Sequence, residues 1–155
     1  MTRRDPAPAL GPLAERTAYA GLAPLVAALA AAALVPQPEQ RELALRAALA
    51  WGAVVLSFVG AVHWGLAVAR QWAWSPAVVL GSIGPALAAA VALLLGGQRG
   101  LATLVAGFGL FWLYEHRRRS AELPPDYVAL RRNLTLLVCG LLVLTMLVGE
   151  RAGVG

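Results

Sequence analysis

Apolar residues along the chain are gathered into five long blocks and do not alternate with polar residues. About 20 helical residues, rising 1.5 Å each, are needed to cross a hydrocarbon core of about 30 Å. Blocks of this length predict transmembrane helices. The predicted spans are 17–35, 46–69, 75–95, 100–114 and 133–149.

Signals at the ends of the blocks support these spans. Pro38 and Glu39 suit a helix N-terminus, so the second helix is expected to begin a turn or two before its charge-free part. Ser75 and Pro76 form an N-cap and N1 pair for the third helix. The span 100–114 has only 15 uncharged residues and would rise about 22 Å, so it must thin the bilayer or lean on its neighbours.

The pattern therefore predicts an all-α fold, a single integral membrane bundle of five transmembrane helices over residues 17–150. With five spans, nine arginines fall on the side of the N-terminus and four on the other side. The N-terminus is expected in the cytoplasm and the C-terminus outside. Residues 1–16 would then form a cytoplasmic tail, 115–132 a basic cytoplasmic loop and 151–155 a short tail.

Composition indicates that lipid is the main solvent of the chain and predicts its location. Of the 155 residues, 59% are hydrophobic and 14% charged, and every basic residue is arginine. This composition is typical of a membrane protein from a high-GC bacterial genome, which places the chain in the bacterial cytoplasmic (inner) membrane. The net charge of +5 is assigned to topology and to anionic lipid head groups, not to nucleic acid. A cleavable signal peptide is disfavoured, because the leader contains acidic residues and prolines.

No catalytic motif accompanies these features. The sequence has no metalloprotease, hydrolase, dithiol or phosphate-loop signature, and each Asp and Glu lies in a predicted loop or at the end of a predicted span. We therefore expect neither an enzyme nor a bound cofactor or metal. Cys139 is interpreted as a packing residue.

His63 is the main candidate for chemistry inside a predicted span. It lies seven residues before Arg70, which places it roughly 10 Å into the membrane from the cytoplasmic side. A neutral imidazole facing protein or water is expected there. An interhelical hydrogen bond is the preferred role, with ligand contact, proton handling and haem ligation as alternatives. The candidate ligand-binding residues are His63, Trp64, Ser57, Pro85, Tyr114 and Glu115.

Small residues and prolines predict how the helices pack. Ala53, Ser57, Ala61 and Gly65 recur every four residues, with Gly60 beside them, and this pattern predicts a close helix contact and a central second helix.

Pro24 and Pro85 lie within the first and third spans, where each frees a carbonyl that a neighbour must satisfy. Kinks that fit the bundle are the favoured interpretation. A duplicated hairpin carrying a transport site is the alternative.

The basic segment after the fourth span predicts contact with lipid or with a partner protein. After the prolines at 124 and 125, apolar residues on one face predict a short interfacial helix that leads into the last span. The candidate contact residues are Arg117, Arg118, Arg119, Tyr127 and Arg131.

Four stretches carry a resemblance to a known family: Tyr19–Pro24, Ala50–Gly65 with its terminal His-Trp-Gly, Gly81–Pro85 and Leu123–Thr135. In this order they resemble domain-of-unknown-function family 3429, small bacterial multi-span membrane proteins with mitochondrial relatives that include transmembrane protein 69. The family has an aspartate just after the fourth span, where this chain has Glu115. By resemblance, the motif residues map onto Pro24, Ser57, Gly60, His63, Trp64, Gly65, Pro85, Tyr127, Arg131 and Thr135.

The resemblance implies a multi-span helical fold and no established activity. The expected function is a non-catalytic accessory or assembly component of a membrane complex, whose partners would be the bilayer and another membrane protein. The alternative is a binder or transporter of a small molecule or lipid, with a pocket near His63 in the cytoplasmic half.

Overall fold

The computed structural model describes residues 11–119 and 122–151, and every regular element in these ranges is an α-helix. This confirms the predicted all-α class. The helices are α1 (Pro12–Ala20), α2 (Ala23–Leu34), α3 (Pro38–Val68), α4 (Pro76–Leu95), α5 (Gly97–Arg119) and α6 (Pro125–Arg151).

Four stretches of the described chain are long and apolar enough to cross a membrane. They are Pro12–Leu34, which joins α1 and α2, then α3, α4 and Pro125–Glu150 of α6. Large apolar side chains such as Leu94, which is 88% exposed, cover the outside of the bundle, as expected where lipid is the solvent. The chain is therefore a membrane protein with four candidate spans. The fourth predicted span, 100–114, lies in α5, which is not among them, so the predicted count of five spans is not supported.

The first predicted span is broken in its middle. The helix ends at Ala20 and resumes at Ala23, one residue before Pro24, whose ring cannot continue the ladder of backbone hydrogen bonds. The indole N–H of Trp51 on α3 donates to the carbonyl of Gly21 at this break, at 2.9 Å. A neighbouring helix thus satisfies a backbone group that the break exposes, as proline in a membrane helix requires.

Helix α3 is the centre of the bundle, as predicted. It runs unbroken from Pro38, where the sequence indicated an early start, and packs against α2, α4, α5 and α6. Its buried face includes Gly52, Leu56, Gly60 and His63, at intervals of three or four residues.

The predicted small-residue stripe is only partly in contact with other helices. Ala53 is buried, but Ser57 is half-buried and donates to the Ala53 carbonyl of its own helix, at 2.9 Å. Ala61 and Gly65 are exposed, because the contact face of α3 passes through Gly60 instead. A Cβ added at Gly60 would lie 2.8 Å from the Ser82 carbonyl oxygen on α4, so glycine is what allows these two helices to approach.

Helices α4, α5 and α6 run antiparallel to their sequence neighbours. Ser75 caps α4 by accepting from the Val78 amide, as predicted. Gln98 at the start of α5 donates to the Met146 carbonyl near the end of α6, at 2.9 Å. The apolar core between α3, α5 and α6 is built around Leu56, Leu104, Phe108 and Leu142, which are fully enclosed.

The basic segment 115–132, predicted as a loop, is largely helical. Helix α5 continues to Arg119 and α6 begins at Pro125, so the predicted interfacial helix is the first part of α6. Proline suits the N1 position, and the negative charge of Asp126 in the first turn interacts favourably with the positive end of the helix dipole.

Substitution of Gly60 and Gly65 by alanine tests the close approach of α3 and α4. Gly60→Ala should destabilise the bundle by roughly 1–3 kcal/mol, because the new methyl group overlaps a backbone carbonyl. Gly65→Ala meets no atom within 4 Å and should be neutral or slightly stabilising, since alanine is the better helix former. Thermal unfolding in mild detergent measures both variants. Equal stability of the two would contradict the assignment of the contact face.

Candidate functional site

Buried polar side chains gather at one end of the bundle, where α3 and α5 end and α4 and α6 begin. His63 is 0%, Glu115 4%, Arg131 7% and Thr135 5% exposed. We call these four residues the polar cluster. Buried ionisable groups of this kind are rare in membrane proteins, and by default they mark a functional or strongly structural site.

The centre of the polar cluster is an ion pair between α5 and α6. Arg131 Nε lies 3.2 Å from Glu115 Oε2. Arg131 Nη1 also donates to Thr135 Oγ1, one turn further along α6, at 3.4 Å. The guanidinium carbon lies 5.6 Å from the ring centroid of Phe111, within the range of a cation–π contact. Arg131 is therefore held by a carboxylate, a hydroxyl and an aromatic face at once.

His63 lies beside this pair inside a shell of aromatic rings. Its Nδ1 is 4.0 Å from Glu115 Oε1, beyond hydrogen-bond length but close enough for an electrostatic interaction. The ring centroids of Trp72 and Phe111 lie at 5.2 Å and 5.3 Å with edge-on geometry, and that of Tyr114 at 6.1 Å. The imidazole is thereby shielded from lipid on several sides.

Glycine on α4 closes the remaining side. A Cβ added at Gly81 would lie 3.1 Å from His63 Cδ2 and 3.2 Å from Tyr114 Cε1, tighter than ordinary contacts. The hydroxyl of Tyr114, on α5, donates to the Ala77 carbonyl on α4, at 2.8 Å. Helix α4 thus supplies a flat backbone surface against His63 and an acceptor for the neighbouring tyrosine.

The turn after α3 brings Trp72 back towards His63. Arg70 has a left-handed φ of 58°, its amide donates to the Ala67 carbonyl, and the Gln71 amide donates to the Leu66 carbonyl. These two bonds form a Schellman motif, in which glycine is the usual left-handed residue. An arginine at this position is uncommon. The reversed chain direction carries Trp72 to its contact with the imidazole.

The described part of the chain contains two notable cavities, and His63 lines neither of them. The first, of about 10 Å³, lies between the end of α5 and the start of α6, and its lining includes Glu115, His116, Tyr127 and Arg131. The second, of about 640 Å³, is an open apolar groove on the outer face of α4. It is lined by Trp74, Ser75, Pro76, Val79, Leu80, Ile83, Gly84 and Leu87.

The structure brings together only some of the predicted ligand-binding residues. His63, Tyr114 and Glu115 meet, but Trp64 lies on the outside, 49% exposed, with its ring 4.9 Å from that of Trp74. Ser57 bonds within its own helix, and Pro85 packs against Gly60. In the described ranges, no group of three His, Cys, Asp or Glu residues could hold a metal ion.

Of the residues predicted to contact lipid or a partner protein, some are exposed and others are buried. Arg117 and Arg118 are exposed, whereas the side chain of Arg119 lies outside the described part. Tyr127 is half-buried in the wall of the small cavity. The prediction for Arg131 is wrong as a surface contact, because its guanidinium is buried against Glu115.

Sequence reasoning missed the ion pair itself, although the spacing contained a signal for it. Tyr127, Arg131 and Thr135 recur every four residues and so share one face of α6. Phe111 and Glu115 are likewise one turn apart on α5. Two antiparallel helices joined by a short connection would bring these faces together at the same end of the bundle.

Arg131 and Arg132 form a matched pair of variants for this site. Arg131→Ala should destabilise the bundle by about 3–5 kcal/mol, because it leaves the Glu115 carboxylate buried without its counter-charge. Arg132→Ala removes an exposed guanidinium and should change stability little. Thermal unfolding in detergent separates the two, and similar losses would show that Arg131 does not stabilise the fold through this pair.

The comparisons with known proteins agree with this architecture. No curated protein and no solved structure is significantly similar to the chain. Residues 12–147, which include all six helices in whole or in part, match the family described as "Protein of unknown function (DUF3429)". The chain, with its polar cluster between α3, α5 and α6, therefore belongs to the DUF3429 family.

Proposed function

We propose that this protein is a non-catalytic accessory or assembly component of a membrane complex. The observation that carries the proposal is the complete enclosure of His63, the one histidine in the apolar part of the chain. A catalytic or substrate-binding imidazole needs a route by which a substrate reaches it. His63 lines neither the small cavity between α5 and α6 nor the groove on α4.

The contacts of the cluster support a structural role. The ion pair, the imidazole and the surrounding rings tie the ends of α3, α5 and α6 and the start of α4 into one packed unit. A buried ion pair adds little net stability, but breaking it is costly, so it favours one arrangement of helices over others. A protein that keeps its outer surface in a fixed shape suits the support of a larger assembly.

The proposal includes five spans, with the N-terminus in the cytoplasm of a bacterium and the protein in its inner membrane. Helix α5 has 23 residues and a length of about 34 Å. It extends from the level of Met146 at one end of α6 to that of Arg131 at the other. Its enclosed residues Leu104 and Phe108 belong to the core, so its neighbours cover the shorter apolar stretch.

The expected partners are anionic lipid head groups and a second membrane protein. Arg70, Arg117, Arg118 and Arg132 are exposed at the end of the bundle that carries the polar cluster. Arginines in such positions attract anionic lipids, by about 1 kcal/mol each near the surface. The relation to transmembrane protein 69 stays a prediction, as does the alternative of a ligand pocket near His63.

Reporter fusions test the number of spans. With five spans and a cytoplasmic N-terminus, a fluorescent protein fused at the C-terminus should stay dark in a bacterial host, because it does not fold after export through the general secretory route. Alkaline phosphatase at the same position should be active. The reverse result would indicate an even number of spans, and N-terminal fusions with the same reporters provide the control.

Co-purification from native membranes tests the proposed function. The tagged chain in mild detergent should carry another membrane protein in a fixed ratio. His63→Ala should lower that ratio several-fold, because it empties the centre of the packed helix ends. His116→Ala, which alters an exposed ring stacked on Trp112, should leave the ratio unchanged. A chain that purifies alone, or equal effects of the two variants, would contradict the proposal.

A further inference from the structure

We propose that the small cavity between α5 and α6 is a binding site for one internal water molecule, which bridges the Glu115 carboxylate and the Arg131 guanidinium. The site is distinct from the enclosed surroundings of His63, and it does not depend on the function proposed above. Three observations lead to it: the size of the cavity, the hydrogen-bonding capacity of its walls and its position at the end of the bundle.

Size sets the class of ligand. The cavity measures about 10 Å³, which is close to the smallest volume that holds a single water molecule. A metabolite, a lipid chain or a second side chain needs far more room. The apolar groove on α4 is larger by more than an order of magnitude, but its lining is dominated by apolar side chains.

Polarity favours water over a void. Glu115 Oε1 and Arg131 Nη2 are buried with no hydrogen bond to a described residue, while Glu115 Oε2 already faces Arg131 Nε at 3.2 Å. Leaving such groups without partners is costly, most of all for charged ones. A water molecule can donate to the carboxylate and accept from Nη2 at the same time, and internal waters commonly make about three hydrogen bonds.

The balance of charge at the site excludes an ion. A cation in the cavity would lie against the Arg131 guanidinium, and an anion would lie against the Glu115 carboxylate. Each would therefore be repelled by one wall of its own site. A neutral dipolar molecule can satisfy both walls, and water is the one that fits.

The position of the cavity gives water a way in. Its wall also includes His116, which is exposed, and Tyr127, which is half-buried. The site therefore lies between exposed residues at the end of the bundle and the buried ion pair. Waters in such places commonly satisfy polar groups that protein atoms do not reach.

A structure of the detergent-solubilised or nanodisc-embedded protein, at a resolution that shows ordered waters, tests the site directly. Density should lie at hydrogen-bond distance, about 2.7–3.2 Å, from both a Glu115 oxygen and Arg131 Nη2. An empty cavity would overturn the proposal. So would a rearranged Arg131 that bonds Glu115 through two nitrogens and fills the space itself.

A cavity-filling substitution gives an independent test. Val128 lines the cavity, and Val128→Leu should displace the water and lower the thermal midpoint by about 2–8 °C. In the charge-free background Glu115→Leu/Arg131→Met, no water is needed, and the same substitution should leave the midpoint unchanged or raise it.

Val105→Leu is the matched control, because Val105 packs against the apolar core away from the cavity. Its effect should be equal in the two backgrounds. Additivity of Val128→Leu with the charge-free pair would overturn the water site, since only groups that share a partner show such coupling.

Discussion

The ion pair between Glu115 and Arg131 is the interaction on which the arrangement of this bundle depends. The two charges lie at the end of α5 and near the start of α6, and burial makes either one costly without the other. Because the pair is formed by side chains at fixed heights on antiparallel helices, it sets the register of α5 against α6. Phe111, which contacts both Arg131 and His63, extends this constraint to α3.

Close approach of backbones connects the same constraint to α4. Gly60 on α3 lies against the Ser82 carbonyl and Pro85, and Gly81 on α4 lies against the rings of His63 and Tyr114. Each glycine leaves the space of one methyl group to the neighbouring helix. Van der Waals packing of this kind is a main source of helix association in membranes, where the hydrophobic effect does not drive helices together. The polar cluster is therefore enclosed by packing that only small residues permit.

Length, apolar blocks and end signals predicted the apolar helices, but not the break between α1 and α2 or the continuation of α5 to Arg119. They placed the start of α3 near Pro38, the N-cap of α4 at Ser75 and α3 at the centre of the bundle, because these depend on local sequence and on hydrophobicity. The candidate site was harder. His63 and Glu115 were identified as separate polar residues near a membrane boundary, but their meeting with Arg131 depends on how far α5 and α6 continue as helices.

The basic segment shows why the contact between Arg131 and Glu115 was not predicted from the sequence. A run of arginines next to prolines is typical of a solvated loop, and Arg131 was assigned to the surface on that ground. In the structure the helices extend through most of this segment, and one arginine of the series turns inwards. The facing carboxylate decides which arginine is buried, and it lies on another helix, so the sequence of α6 alone does not contain that information.

The buried position of Arg131 also bears on how the protein enters the membrane. Before α5 and α6 meet, Glu115 and Arg131 are separate charges, and each is expensive to place in lipid. If both helices enter together as a hairpin with the ion pair already formed, the charges of Glu115 and Arg131 cancel, and no isolated charge is placed in lipid. In the proposed five-span topology, this contact favours joint insertion of α5 and α6. In that topology α5, which is not among the four candidate spans, would enter beside its more apolar neighbour α6.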